Sequence, residues 1–168
     1  MPELKENKKA LESQKKIYKS LRRILLTKPL SEVTVADIKA ECNISRSTFY
    51  RNFNNVVDVL DVMLNFFYER YLNKKKEQKN QLLFFFEYWY NHRDLIHIIS
   101  HQNEALIKKC IKKYETTEFS NPYLMDLKYS LMTSILSKWS ESKKETPAQM
   151  EQLMRSILNQ KCIDILLK

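Results

Sequence analysis

Apolar residues recur at helical spacing along almost the whole of this chain. Between residues 4 and 27, Leu11, Ile17, Tyr18, Leu21, Ile24 and Leu25 form one stripe of an amphipathic helix, with Lys15, Lys16, Lys19, Arg22 and Arg23 off the stripe. Lys28-Pro29 ends that helix, because the residue before a proline avoids helical geometry. Leu30 and Val33 pack the connection. Thr34 then opens a short helix as its N-cap, and Asp37 completes a capping box. Val35, Ile38 and Cys42 mark the apolar face of this helix. Asn43 stands where the chain must turn, and asparagine tolerates left-handed backbone better than most residues. Ser45 caps another short helix, on which Phe49 and Phe53 share a face and are the expected buried anchors.

The rest of the chain reads the same way. Asn55 caps a fourth helix, with Asp58 favourable to its dipole. From Val56 to Leu72 this helix is apolar on nearly every side, so it must be covered on more than one face. Lys74, Lys75 and Lys76 close it with positive charge at the carbonyl end. Residues 78–91 contain the run LLFFFEYWY, helical by context and buried nearly all round. Residues 103–116 predict a further short helix with a basic face of Lys108, Lys109, Lys112 and Lys113, and a loop is expected at 116–122. Two long amphipathic helices finish the chain, at about 123–141 and 147–167, the second started by Thr146-Pro147. Leu124, Leu127, Leu131, Ile135, Leu136 and Trp139 form the first stripe; Met150, Leu153, Met154, Ile157, Leu158, Cys162 and Ile165 form the second. These stripes are wider than a lone hairpin can cover, so a matching pair from a second subunit, forming a four-helix bundle, is expected. Packing on their own body alone is the plainer reading.

Composition supports an all-α chain. There is no Gly and there are only four Pro, so the punctuation that strands and hairpins need is nearly absent. Apolar residues make up 43 %, enough for a globular core. The net charge of +9 suits a nucleic-acid partner, and equally an anionic surface. The first residues are charged, unlike a signal peptide, and no apolar run reaches the length of a membrane span. Cys42, Cys110 and Cys162 lie far apart and are odd in number, which fits neither a disulfide framework nor a zinc motif. The expectation is a cytoplasmic protein with reduced, buried cysteines and no membrane partner.

The stretch from Thr34 to Phe53 carries the chemistry. With Phe49 and Phe53 turned inward, Ser45, Arg46, Ser47, Thr48, Tyr50 and Arg51 remain outward, a set rich in groups that bond phosphate oxygens and base edges. Glu41 and Asp58 are the nearest acids on either side. Helix, turn and polar-basic helix make the DNA-binding helix-turn-helix pattern, although two capped helices within an ordinary α-domain would share the spacing. Arg46, in the first turn, is the expected base reader. Tyr50 and Arg51 are assigned to phosphates, as is Thr34 through its hydroxyl or a nearby backbone N–H. The basic side of the first helix would follow the DNA backbone.

The run VTVADIKAECNISRSTFYRNF closely resembles the N-terminal DNA-binding motif of the tetracycline-repressor (TetR) family of transcriptional regulators. The positions that carry the likeness are Thr34 and Ile38, the turn exit Ile44-Ser45, and Ser47, Thr48, Phe49, Tyr50 and Phe53. The detailed likeness runs from about Leu11 to Leu60. Asn43 stands where the family usually has Gly, Lys39 where a small residue is common, and Val56 where the family often has a phosphate-binding Lys. The resemblance implies a DNA-binding head over residues 1–54 and an effector-binding, dimerising body over residues 55–168. It also implies a homodimer on a near-palindromic double-stranded operator, with a small-molecule effector in the body.

The aromatic density of the body leaves two readings open, a solid core or a pocket wall for an apolar or aromatic effector, with Phe67, Tyr71, Phe85 and Trp89 as the expected lining. His97 and His101 share a helical face with Glu104 further on, but a metal needs three or four converging ligands and no bound metal is expected. No Gly-rich phosphate loop or nucleophile-bearing turn is present, so an enzyme is the weakest class. The alternative to a regulator is a basic helical interaction module without sequence-specific DNA binding.

Overall fold

In the computed structural model, residues 8–114, 122–142 and 144–159 are described. Among them the chain forms nine α-helices, a single turn of 3₁₀-helix and no strand, an all-α fold. No helix of the described residues is long and apolar enough to cross a membrane. The helices are α1 (Lys8–Ile24), α2 (Val35–Cys42), α3 (Arg46–Asn52), α4 (Val56–Lys75), α5 (Gln81–Tyr90), α6 (Arg93–Gln102), α7 (Ala105–Tyr114), α8 (Pro122–Ser142) and α9 (Pro147–Asn159).

Most helix starts follow from local side-chain chemistry. Thr34 accepts from the Asp37 N–H at 3.2 Å, while the Asp37 carboxylate accepts from the Thr34 N–H at 2.7 Å, a complete capping box. Ser45 caps α3 through the Thr48 N–H at 3.0 Å, and Asn55 caps α4 through the Asp58 N–H at 2.9 Å. Thr146 and Gln149 exchange the equivalent pair of bonds at the start of α9. The first helix stops sooner than its stripe predicts. Residues 25–28 form a turn in which the Leu26 and Thr27 N–H groups reach back only three residues, leaving Leu26 80 % exposed. The turn of 3₁₀-helix at Leu30–Glu32, unforeseen in the sequence, then returns Leu30 and Val33 to the core.

One cluster of buried side chains runs from Ile17 in α1 to Met154 in α9. Helix α1 packs on α2, α3 and α4; α4 also packs on α5 and α7; α8 packs on α6 and α7, and α9 on α5. As its composition requires, α4 is covered on several faces, with Val59, Leu60, Met63, Leu64, Tyr68 and Tyr71 all buried. Each such side chain contributes roughly 1.5–3 kcal/mol of burial. Cys42 and Cys110 are free and buried; Cys162 and Ile165 lie outside the described residues, as does the expected loop up to residue 121, while Pro122 already begins α8.

Candidate functional site

The α2–turn–α3 unit is built around one left-handed residue. Asn43 has φ 49° and ψ 56°, and its N–H donates to the Lys39 carbonyl at 2.8 Å, closing α2. The chain leaves this point directly into the Ser45 cap of α3. Behind α3, Phe49 and Phe53 are fully buried with ring centroids 5.9 Å apart. They fix the rotation of the helix and turn the opposite face out. Arg46, Ser47, Tyr50 and Arg51 are exposed on that face, and Thr48 is half-buried. The Arg46 guanidinium lies 5.5 Å from the centre of the Tyr50 ring, close enough for a cation–π contact that holds both side chains off the helix.

The hydroxyls of this unit are partly committed. Ser45 Oγ lies 2.9 Å from Ser47 Oγ and 2.8 Å from Thr48 Oγ1, besides accepting the Thr48 N–H. Two contacts use two of the three hydroxyl protons, so one remains to donate outward. Thr34 is more constrained than expected. Its hydroxyl donates to Asp37 at 2.8 Å and its N–H is given to the same carboxylate. The groups there that remain for an anion are the N–H groups of Val35 and Ala36, which no carbonyl of the helix can reach.

The acids near this face are turned away. Lys28 Nζ bonds Asp37 at 2.8 Å and Arg23 bonds Glu41 at 3.1 Å, tying both carboxylates of α2 to the end of α1. The Lys28 ammonium, with the Thr34 N–H and hydroxyl, holds the Asp37 carboxyl down at about 2. The outward face of α3 therefore carries Arg46 and Arg51 with no acid of its own.

The four aromatic residues expected to line a pocket are divided by the fold. Tyr71 and Phe85 border a cavity of about 280 Å³ between α4, α5, α8 and α9, together with Lys75 and Gln81. Phe67 and Trp89 do not reach it, which corrects the expectation. Phe67 packs against His92 with ring centroids 4.2 Å apart and against Tyr18 at 6.5 Å, and its carbonyl accepts the Tyr88 hydroxyl at 2.7 Å. Trp89 stacks on Tyr68 at 6.1 Å and is 2 % exposed. Burial raises the Tyr88 hydroxyl to about 12 and pushes His92 down, with Arg70, Arg22 and Lys74 adding to the second effect. Burial likewise lifts the Cys110 thiol to about 12, which makes it a core residue and a poor nucleophile.

His97 and His101 do share a face, with ring centroids 4.2 Å apart, but the carboxylate against His101 is Glu141 of α8 at 3.2 Å, not Glu104. Among the described residues, no three His, Cys, Asp or Glu side chains gather as a metal would need. A cleft of about 430 Å³ between α1 and α6, bordered by Lys19, Arg22, Arg23, Leu26, Asp94 and Ile98, has no signal in the sequence because its two walls lie some seventy residues apart. No protein-family model matches the chain, and no curated protein matches it in sequence.

Proposed function

We propose that this chain is a DNA-binding transcriptional regulator of the TetR type, acting as a homodimer through residues 55–168 and reading a near-palindromic operator through residues 1–54. The observation that carries the reading is the outward face of α3. It presents two arginines, a tyrosine and small hydroxyls on a helix pinned from behind by Phe49 and Phe53, while Lys28 and Arg23 take up the neighbouring acids. In this reading α3 is the recognition helix. Arg46 in its first turn bonds a guanine O6 and N7, and Tyr50 and Arg51 bond phosphates. A dimer would set two such helices about 34 Å apart, one turn of DNA.

The supporting surface for dimerisation lies on α8 and α9, where Tyr123, Leu127 and Leu153 are 83 %, 62 % and 48 % exposed. Ile157 packs partly into its own chain and so is less of a seam residue than the sequence implies. Regulation by an effector in the body needs a path to α3. Arg22 pairs with Asp94, Gln102 accepts the Leu30 N–H at 3.1 Å, and Tyr18 meets Phe67, so α6 and α4 hold α1 directly. An effector acts along this path only by binding two arrangements of it with different affinity.

The test is a set of binding isotherms at several salt concentrations, on DNA fragments selected by the protein and on scrambled controls. Arg46→Ala should cost about 1–3 kcal/mol on the selected site and relax preference at one base position. Arg51→Ala should weaken all sequences alike and lower the salt slope by about one. Equal affinity for selected and scrambled DNA would mean a basic helical module instead, and would end the regulator reading.

A further inference from the structure

We propose that the cavity between α4, α5, α8 and α9 binds a small apolar monoanion, an aliphatic or aromatic carboxylate, with its charged end on Lys75. This names the ligand class for the body's effector site and rests on that reading of the body. The cavity is apolar along most of its wall: Phe85 and Phe86 from α5, Leu131 and Ile135 from α8, and Met154 from α9. Among the described residues, Lys75 and Gln81 bring polar side chains to it.

Lys75 decides the sign of the charge. It is half-buried, its ammonium lies 5.9 Å from the centre of the Tyr71 ring, and among the described residues no carboxylate pairs with it. A lysine drawn over an aromatic wall, with no acid beside it among the described residues, favours a ligand that supplies one. Gln81 is the first residue of α5, so the positive end of that helix dipole borders the cavity, beside the Asn80 cap that already meets Glu151 and Arg155. A cationic ligand meets the unfavourable charge of the Lys75 ammonium there, and a neutral one leaves that ammonium unanswered. Size follows from the volume. At interior packing density, about 280 Å³ holds roughly a dozen non-hydrogen atoms. A chain such as decanoate is about that size.

The test is isothermal calorimetry on the full chain with decanoate, decanol and decylamine, each below its micellar concentration. One decanoate should bind per chain, at least about tenfold more tightly than decanol, with decylamine weaker still. Lys75→Met should bring decanoate to the affinity of decanol and leave decanol unchanged. Ile135→Trp, which fills the cavity, should remove both. Equal binding of decanoate and decanol, or decanoate binding indifferent to Lys75→Met or Ile135→Trp, overturns the proposal. So does the absence of binding, including the case in which a chain ending at Asn159 binds where the full chain does not, since the chain's own last residues would then be the occupant. Selected-site DNA affinity is measured beside it. Decanoate bound without any effect on DNA leaves the ligand class standing and ends the effector reading; sequence-specific DNA binding without decanoate binding does the reverse.

Discussion

Asn43 offers the sharpest test of how the α2–α3 turn is held. It is the one non-glycine residue with positive φ among the described residues, and it is exposed, so a substitution there neither opens a cavity nor overpacks a core. Left-handed backbone costs an ordinary L-residue about 1–2 kcal/mol, less for asparagine. A β-branched residue is a true outlier in that region. Asn43→Val is therefore expected to destabilise by about 2 kcal/mol. Asn43→Gly recovers what remains of the left-handed cost but gives the unfolded chain more freedom, an opposing effect of about 0.4–1 kcal/mol, so its net change should lie near zero. In a chain of this size, 2 kcal/mol lowers the melting temperature by roughly 4–8 °C. Urea unfolding followed by far-ultraviolet circular dichroism, with thermal melts alongside, reads both. If valine is tolerated within about 0.5 kcal/mol, or glycine costs as much as valine, the backbone at residue 43 is not what holds the turn.

His92 supplies a pH dependence. Its folded-state pKa is pushed below the ordinary 6.5 by burial against Phe67 and Tyr88 and by nearby cations, so below 6.5 the unfolded chain holds more protons than the folded one. Stability is expected to be fully present above that value and to fall as pH drops through it. His92→Phe should flatten this decline between pH 7.5 and 5.5 in urea midpoints; a variant that declines as steeply as the parent would refute the assignment. Glutamates at Leu127 and Leu153 should turn a dimer into a monomer in sedimentation at micromolar concentration, with weaker operator binding. A parent protein that sediments as a monomer removes the basis for that expectation.

What was legible in the sequence was local. The caps at Thr34, Ser45, Asn55 and Thr146 each rest on a bond to a residue three positions on, so spacing alone reveals them. The burial of Phe49 and Phe53 follows from their four-residue separation and the polar residues around them. What depends on pairing between distant helices was not legible. Phe67, Tyr71, Phe85 and Trp89 look alike on greasy helices, and only the arrival of α8 and α9 sets Tyr71 and Phe85 against a cavity, while Phe67 packs on His92 and Trp89 on Tyr68. Lys75 reads in sequence as the basic end of α4, and its place on the cavity wall emerges only when α9 packs on α5. The early end of α1 belongs here too, because the pull of Leu30 into the core competes with three more residues of helix.

The bonds that fasten α1 to α6 have a kinetic meaning. Arg22–Asp94 and Leu30–Gln102 each join residues 72 apart in the chain. Closing a loop of that length before anything else has formed costs several kcal/mol, about (3/2)RT ln n, and one exposed ion pair with one part-buried hydrogen bond returns only part of it. Such contacts are expected to form after the helices between them have collapsed, on the native side of the folding barrier. Removing both, as in an Asp94→Ala, Gln102→Ala double variant, should therefore speed unfolding and leave refolding nearly unchanged; a slowed refolding arm would place the contact before the barrier. These two bonds are in this sense a latch expected to set last and release first.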